Sequence, residues 1–301
     1  MGYSARYHAA SLAAVFLALA IGILIGVGLG GKVYKSARND LEQSLKSDLA
    51  GSRSRADDLQ SQLNQERDTL AQIYPALVGD LLRGQRIAVV ALGAMPEDMK
   101  GDIESVVGAD NPTGAKLSEF AVVREPPDLH ALVDAVPGGS RKVAHDSDAL
   151  SALARRAGRS LISGGPVFDH LRDSLLADVS GQPGGIDAVI VVRERPSDLG
   201  SGQSDATDSL ESGLLDGIEG AGSVPVVGVE RSDSDSSQIG FYDSEGLSAT
   251  VDSVDLISGQ VALAYALNGV EGDYGIKASA DRLLPALRRP PTAPVAGPGF
   301  R

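Results

Sequence analysis

The sequence predicts an α/β chain: an N-terminal transmembrane helix, a coiled-coil stalk, then a mostly parallel sheet flanked by helices. Three observations predict it. Residues 9–31, AASLAAVFLALAIGILIGVGLGG, carry no charge. Apolar residues next recur on alternating three- and four-residue steps, and beyond residue 84 short apolar runs alternate with helical patterns. With 301 residues, 43% hydrophobic and 22% charged, the chain can bury one core and carry appendages, and it has neither a disordered nor a polytopic composition. The expected organisation is a flank (1–8), an anchor (9–31), a stalk (32–83), an α/β domain (84–287) and a disordered proline-rich tail (288–301).

At ~1.5 Å per residue the uncharged run spans roughly 30–35 Å, one hydrocarbon core. Ala18-Leu19-Ala20 mimics a signal-peptidase site, yet the apolar run continues well beyond it, so an uncleaved anchor is expected. Ala18, Gly22, Gly26 and Gly30 recur every four residues and line one face with small side chains, where another helix could approach closely. Glycine is also simply common in membrane helices.

In the stalk, Leu49, Ala56, Leu59, Leu63, Leu70, Ile73 and Leu77 form a heptad seam, with Ser52 and Glu66 at the skipped core positions. Leu41, Leu45 and Leu49 are spaced by four, a stutter near the membrane. A helix from Val33 to Leu77 would stand about 65 Å tall. Its seam must meet a partner, so the expectation is a homo-oligomer or a helical partner protein. The competing reading packs an amphipathic helix on its own domain. The polar Ser52 and Glu66 temper any dimer and leave room for partner exchange.

Gly84 should break this helix. Residues 86–92, RIAVVAL, then read as a buried first strand, with further strands at 119–123, 188–192 and 224–229. Helical patterns at 146–157, 167–179 and 207–221 fall between them, which implies parallel strands with helices on both faces. Residues 258–267, SGQVALAYAL, read as a last helix docked on the sheet.

Signs of chemistry are sparse. A formal net charge of −13 argues against nucleic acid, and the lack of cysteine excludes disulfides, thiolate metal sites and thiol nucleophiles. Ser163-Gly164-Gly165-Pro166 opens a helix but lacks the spacing of a dinucleotide or Walker loop, and Pro166 suits a first helical position, so the structural reading is preferred. No nucleophile elbow or triad can be assigned, and the chain is expected not to be an enzyme. His8, His130, His145 and His170 are scattered. Met95 and Met99 lie four apart and offer soft thioethers suited to Cu(I), without an identifiable third ligand. The acidic run 230–245 lacks EF-hand spacing and reads as a solvated loop, while Asp252 and Asp255 read as helix-start acids.

Two stretches carry a resemblance. Residues 7–20, YHAASLAAVFLALA, followed by Gly22 and Gly26, resemble the start of the MctB-type copper transporter family of actinobacteria. So do residues 249–255 (ATVDSVD), 259–263 (GQVAL) and 272–275 (GDYG), so the likeness spans residues 1–276, with the middle alike only in pattern. The resemblance implies a membrane protein of copper homeostasis or transport or, in close relatives, of cell-envelope and division control through coiled-coil contacts. Copper enters by resemblance alone, and no ligand set comes with it. The residues themselves favour a non-enzymatic scaffold or regulator that captures a partner helix, although α/β crevices host many activities. Arg6 and the amino terminus precede the anchor while Lys32, Lys35 and Arg38 follow it, so the positive-inside rule puts the domain in the cytoplasm. The resemblance points to an extracytoplasmic domain on a single-pass anchor in the cell membrane, and that placement is the expectation carried forward.

Overall fold

The computed structural model describes residues 4–135, 143 and 146–287; for residues 4–6, 28–40 and 168 the description stops at the backbone. The tail 288–301 and His145 lie outside the described residues. Contacts form two compact units, Met1–Asp68 and Thr69–Arg301.

Helix α1 runs over Ser4–Val78. Its stretch Tyr7–Val27 has a mean hydropathy of 2.6 and is long and apolar enough to cross a membrane. From Leu12 to Val27 its large apolar side chains are 52–78% exposed, on every face of the helix. Such a helix needs apolar surroundings, because each buried methylene is worth about 0.8 kcal/mol against water. Space beside Gly22 and Gly26 is open, whereas Gly30 falls where only the backbone is described. Further along, Leu49, Ala56, Leu59, Leu63, Leu70 and Ile73 remain exposed, and Leu77 alone of the seam packs against the domain core.

The last turn of α1 belongs to the domain. Tyr74 and Val78 are buried, as is Leu82 in the turn that follows. The helix stops at Val78, six residues before Gly84, because the chain pairs instead with 112–114: Asp80 N–H donates to Pro112 O, Leu82 N–H to Thr113 O and Gly84 N–H to Gly114 O at 2.9–3.0 Å.

Seven strands follow in one sheet: β1 (Arg86–Gly93), β2 (Lys116–Val123), β3 (Leu176–Gly181), β4 (Ala188–Glu194), β5 (Val226–Val229), β6 (Ala249–Val251) and β7 (Gly272–Tyr274). Their order is β3-β2-β1-β4-β5-β6-β7, all parallel except β3, which runs antiparallel to β2. Alternate residues enter opposite cores, as a pleated strand requires. Ile87, Val89 and Ala91 face the end of α1, α2 (Glu97–Val107) and α8 (Ile257–Leu267). Ala88, Val90 and Leu92 face the other helices: α3 (Leu129–Ala135), α4 (Ser147–Ser163), α5 (Pro166–Leu175), α6 (Ser201–Glu219) and α7 (Ile239–Glu245). The predicted mostly parallel, doubly covered sheet is therefore present.

Helices α4 and α6 meet backbone to backbone. A Cβ on Gly158 would lie 2.2 Å from Leu214 O, one on Gly213 would lie 2.5 Å from Ser151 O, and one on Gly217 would lie 2.1 Å from Arg155 O. The Asp146 carboxylate caps α4 by accepting from the Asp148 and Ala149 N–H groups.

Three local expectations need correction. The helix expected over 167–179 ends at Leu175, and β3 follows. Arg124 N–H donates to Leu175 O at 2.9 Å and draws the chain onto β2, and the polar, exposed β3 gives no apolar run to reveal it. The acidic run 230–245 is not a solvated loop: Glu230 is buried, and α7 inserts Ile239 and Tyr242 into the core. Nor do Asp252 and Asp255 start a helix. Asp255 Oδ1 accepts from Ser232 N–H and Oδ2 from Ser232 Oγ, both at 2.6 Å, and α8 opens later, at Ile257.

Candidate functional site

In open α/β sheets, ligands gather outside the carboxyl ends of the strands, where the order reverses. Here that point lies between β1 and β4. It is closed. A Cβ on Gly93 would stand 2.2 Å from Glu194 O and 3.1 Å from Glu125 Oε2, so the two strand ends touch and a carboxyl stands where a phosphate-binding loop would be. The opening lies one strand over. A cleft of about 540 Å³ separates the ends of β4 and β5 from the start of α2, and its lining includes Pro96, Met99, Arg193, Arg195, Glu230 and Gln238.

Arg193, Arg195 and Glu230 on its lining are paired. Arg193 donates from Nε to Glu211 Oε1 at 2.7 Å and from Nη2 to Oε2 at 2.9 Å, a bidentate bridge to a fully buried carboxylate. Its Nη1 donates to Gln238 Oε1 at 2.5 Å, and its guanidinium lies 3.9 Å from the centre of the Phe241 ring. Arg195 bonds Ser204 Oγ at 2.6 Å and pairs with Asp208. Glu230, 3% exposed, accepts from Ser237 Oγ (2.8 Å), Gln238 N–H (2.5 Å) and Lys277 Nζ (2.6 Å). The network ties β4 and β5 to the segment after β7, and it offers no poised nucleophile–base pair. His130 and His170 sit on α3 and α5, outside the cleft lining.

Two carboxyls stand apart from this pairing. Glu125 and Glu119 have carboxyl oxygens that are buried and make no hydrogen bond. Burial pushes Glu125 up to about 8, with the neighbouring Glu211 adding to the rise and Arg193 and Arg195 opposing it. Burial likewise pushes Glu119, 1% exposed, up to about 7 against the pull of Arg172. A carboxyl raised in the fold favours folding fully below its unfolded value and loses that contribution as pH rises through the folded value. Glu119→Gln is therefore expected to melt like the parent near pH 5 and above it at pH 8, by on the order of 2–3 kcal/mol at most. Thermal melts at the two pH values check this; a parent-like melting temperature at pH 8 contradicts it.

Met99 is 5% exposed on α2, and Met95 precedes that helix, partly buried against the same core. Among the described residues, no group of three or more His, Cys, Asp or Glu could hold a metal ion. The domain's soft donors are thus the two thioethers.

Comparison with known proteins supplies the family. The sequence model of the family described as "Copper transport outer membrane protein, MctB" matches residues 3–285. The chain belongs to the MctB family. The copper transporters MctB of Mycobacterium bovis and of Mycobacterium tuberculosis are each 26% identical to it over 309 residues, covering 90% of this chain and 96% of theirs. No solved structure matches.

The C-terminal segments that resemble the MctB family have a structural explanation in this chain. In residues 249–255, Thr250 Oγ1 donates to Asp273 Oδ1 at 2.8 Å and joins β6 to β7. Asp252 accepts from the Ile276 and Lys277 N–H groups, both at 2.8 Å, and clasps the turn after β7. Gly259 is required because a Cβ there would lie 1.9 Å from Ser253 O. At Gly275, with φ +147, a Cβ would strike the Asp252 carboxylate at 1.7 Å. These residues stitch the edge of the sheet. Sequence reasoning missed Arg193, Arg195, Glu125 and Glu211, although an acid amid Leu210, Leu214 and Leu215 on an apolar helix face was a usable signal for a buried pair.

Proposed function

We propose that this MctB-family chain is a single-pass membrane protein that takes part in copper transport, with its α/β domain on the extracytoplasmic side. The observation that carries the reading is the family match over residues 3–285, joined to the apolar helix Tyr7–Val27. The described sheet is covered by helices on both faces and presents no lipid-facing strand, so contact with lipid falls to α1. A lone helix lines no pore, so transport calls for several copies or a helical partner. The exposed seam Leu49, Ala56, Leu59, Leu63, Leu70 and Ile73 supports such a partner. Cu(I) contact within the domain falls to Met95 and Met99, and catalysis is not part of the reading.

Cells lacking the chain are expected to accumulate copper several-fold above the parent under copper challenge, read by elemental mass spectrometry. The full chain should restore the parent level, and a chain without Tyr7–Val27 should not; unchanged copper on deletion sinks the role. Orientation can be read separately, because the chain has no cysteine of its own. Ser232 is held by Asp255, so Ser236, exposed in the same loop, is the better label site. A membrane-impermeant maleimide should label Ser236→Cys in intact cells. Labelling only after lysis would place the domain in the cytoplasm, as Lys32, Lys35 and Arg38 suggest.

A further inference from the structure

We infer that α1 pairs with α1 of a second copy of this chain as a parallel, in-register coiled coil. The inference deepens the single-pass reading, since two chains anchored the same way rise from the membrane in the same direction. Five large seam residues, Leu49, Leu59, Leu63, Leu70 and Ile73, stay 44–59% exposed in one chain. Two core positions per heptad make a stripe one helix wide, too narrow to cover a globular core.

The flanking charges choose the occupant. With Leu49 as a first core position, Asp48 precedes it on one flank and Arg53 follows Ser52 on the other. In a parallel, in-register pair the first flank of one heptad faces the second flank of the next heptad across the seam. Asp48 of each helix then meets the partner's Arg53, twice per dimer. The next pairings, Arg55 with Gln60 and Gln62 with Arg67, oppose no like charges. Within its own helix Asp48 has no base one turn away, where Ser44, Leu45, Gly51 and Ser52 stand, and Arg53 makes no ion pair with Asp57 in the structure. An antiparallel pair over the same span would set like flanks against each other, so Asp48 would lie near the partner's Ala76 and Arg53 near the partner's Arg67, and the Asp48–Arg53 pairing would be lost. Glu66 meets its own copy in the core and weakens the pair, while the leucine layers on either side hold it.

The test uses full-length chain in isolated membranes and a short bismaleimide. Leu49→Cys and Leu70→Cys, each alone, should cross-link to twice the chain mass, and Ser61→Cys, on the outer face, should not. Asp48→Arg should lower the Leu49→Cys yield several-fold, and adding Arg53→Asp should restore it. A product that forms only when the Leu49→Cys and Leu70→Cys chains are co-expressed, and from neither alone, means an antiparallel pair and overturns the inference. So does a product with a protein of different mass, or a yield indifferent to the charge reversals. Carbonate extraction of the same membranes reports the anchor independently: release of the chain ends the anchored reading, whereas persistent self-cross-links in the released protein still support the pair.

Discussion

Gly217→Ala should lower the melting temperature of the α/β domain by roughly 10 °C. The added carbon would sit 2.1 Å from Arg155 O and 2.8 Å from Arg155 C, both backbone atoms that cannot rotate away. Helices α4 and α6 must then separate, and Leu153, Leu210, Leu214 and Ile218, buried in the same cluster, lose their close packing. Overpacking commonly costs about 1–3 kcal/mol, and a rigid backbone obstacle belongs at the upper end of that range. A domain held by about 5–15 kcal/mol feels such a loss strongly. Gly202→Ala is the control, on the same helix with nothing within 4 Å; its higher helix propensity should leave stability equal or slightly raised. Similar melting temperatures for the two variants would contradict the backbone contact.

Arg193→Met should cost about 3–5 kcal/mol, because it leaves the buried Glu211 without its bidentate partner and with only Arg195, 3.9 Å away, as a cation. The loss includes both bonds to Glu211, the bond to Gln238 and the stack on Phe241. Adding Glu211→Leu removes the buried carboxylate and should recover much of the loss. Chemical denaturation of the single and double variants checks both statements. A double variant no more stable than the single would mean that the bridge matters for its shape rather than its charge.

The sequence exposes buried order better than surface order. Strands β1, β4 and β5 were legible because strands covered on both faces need unbroken apolar runs, such as 87–92 and 188–192. Strand β3 left no such mark, since Asp178 and Ser180 on an exposed edge obey no apolar period. Strands β6 and β7 have three residues each, and the Thr250–Asp273 bond that joins them spans distant positions. The cleft was illegible for the same reason: Arg193, Glu211, Glu230 and Gln238 lie on four different segments, and only the folded topology brings them together. The uncharged run and the heptad spacing, by contrast, are local patterns of sequence, and their large apolar residues from Leu12 to Val27 and from Leu49 to Ile73 are exposed on α1.

The burial of Tyr74, Val78 and Leu82 has a practical consequence for anyone who wants the globular part alone. A fragment cut at the first strand, Arg86, discards three side chains that fill the face of the sheet shared with α8, and Tyr265 loses the Leu77 carbonyl that its hydroxyl reaches at 3.4 Å. A piece that keeps them must start before Tyr74, and the compact unit begins at Thr69. Shorter fragments should expose apolar surface and aggregate, and their failure would say nothing against the fold.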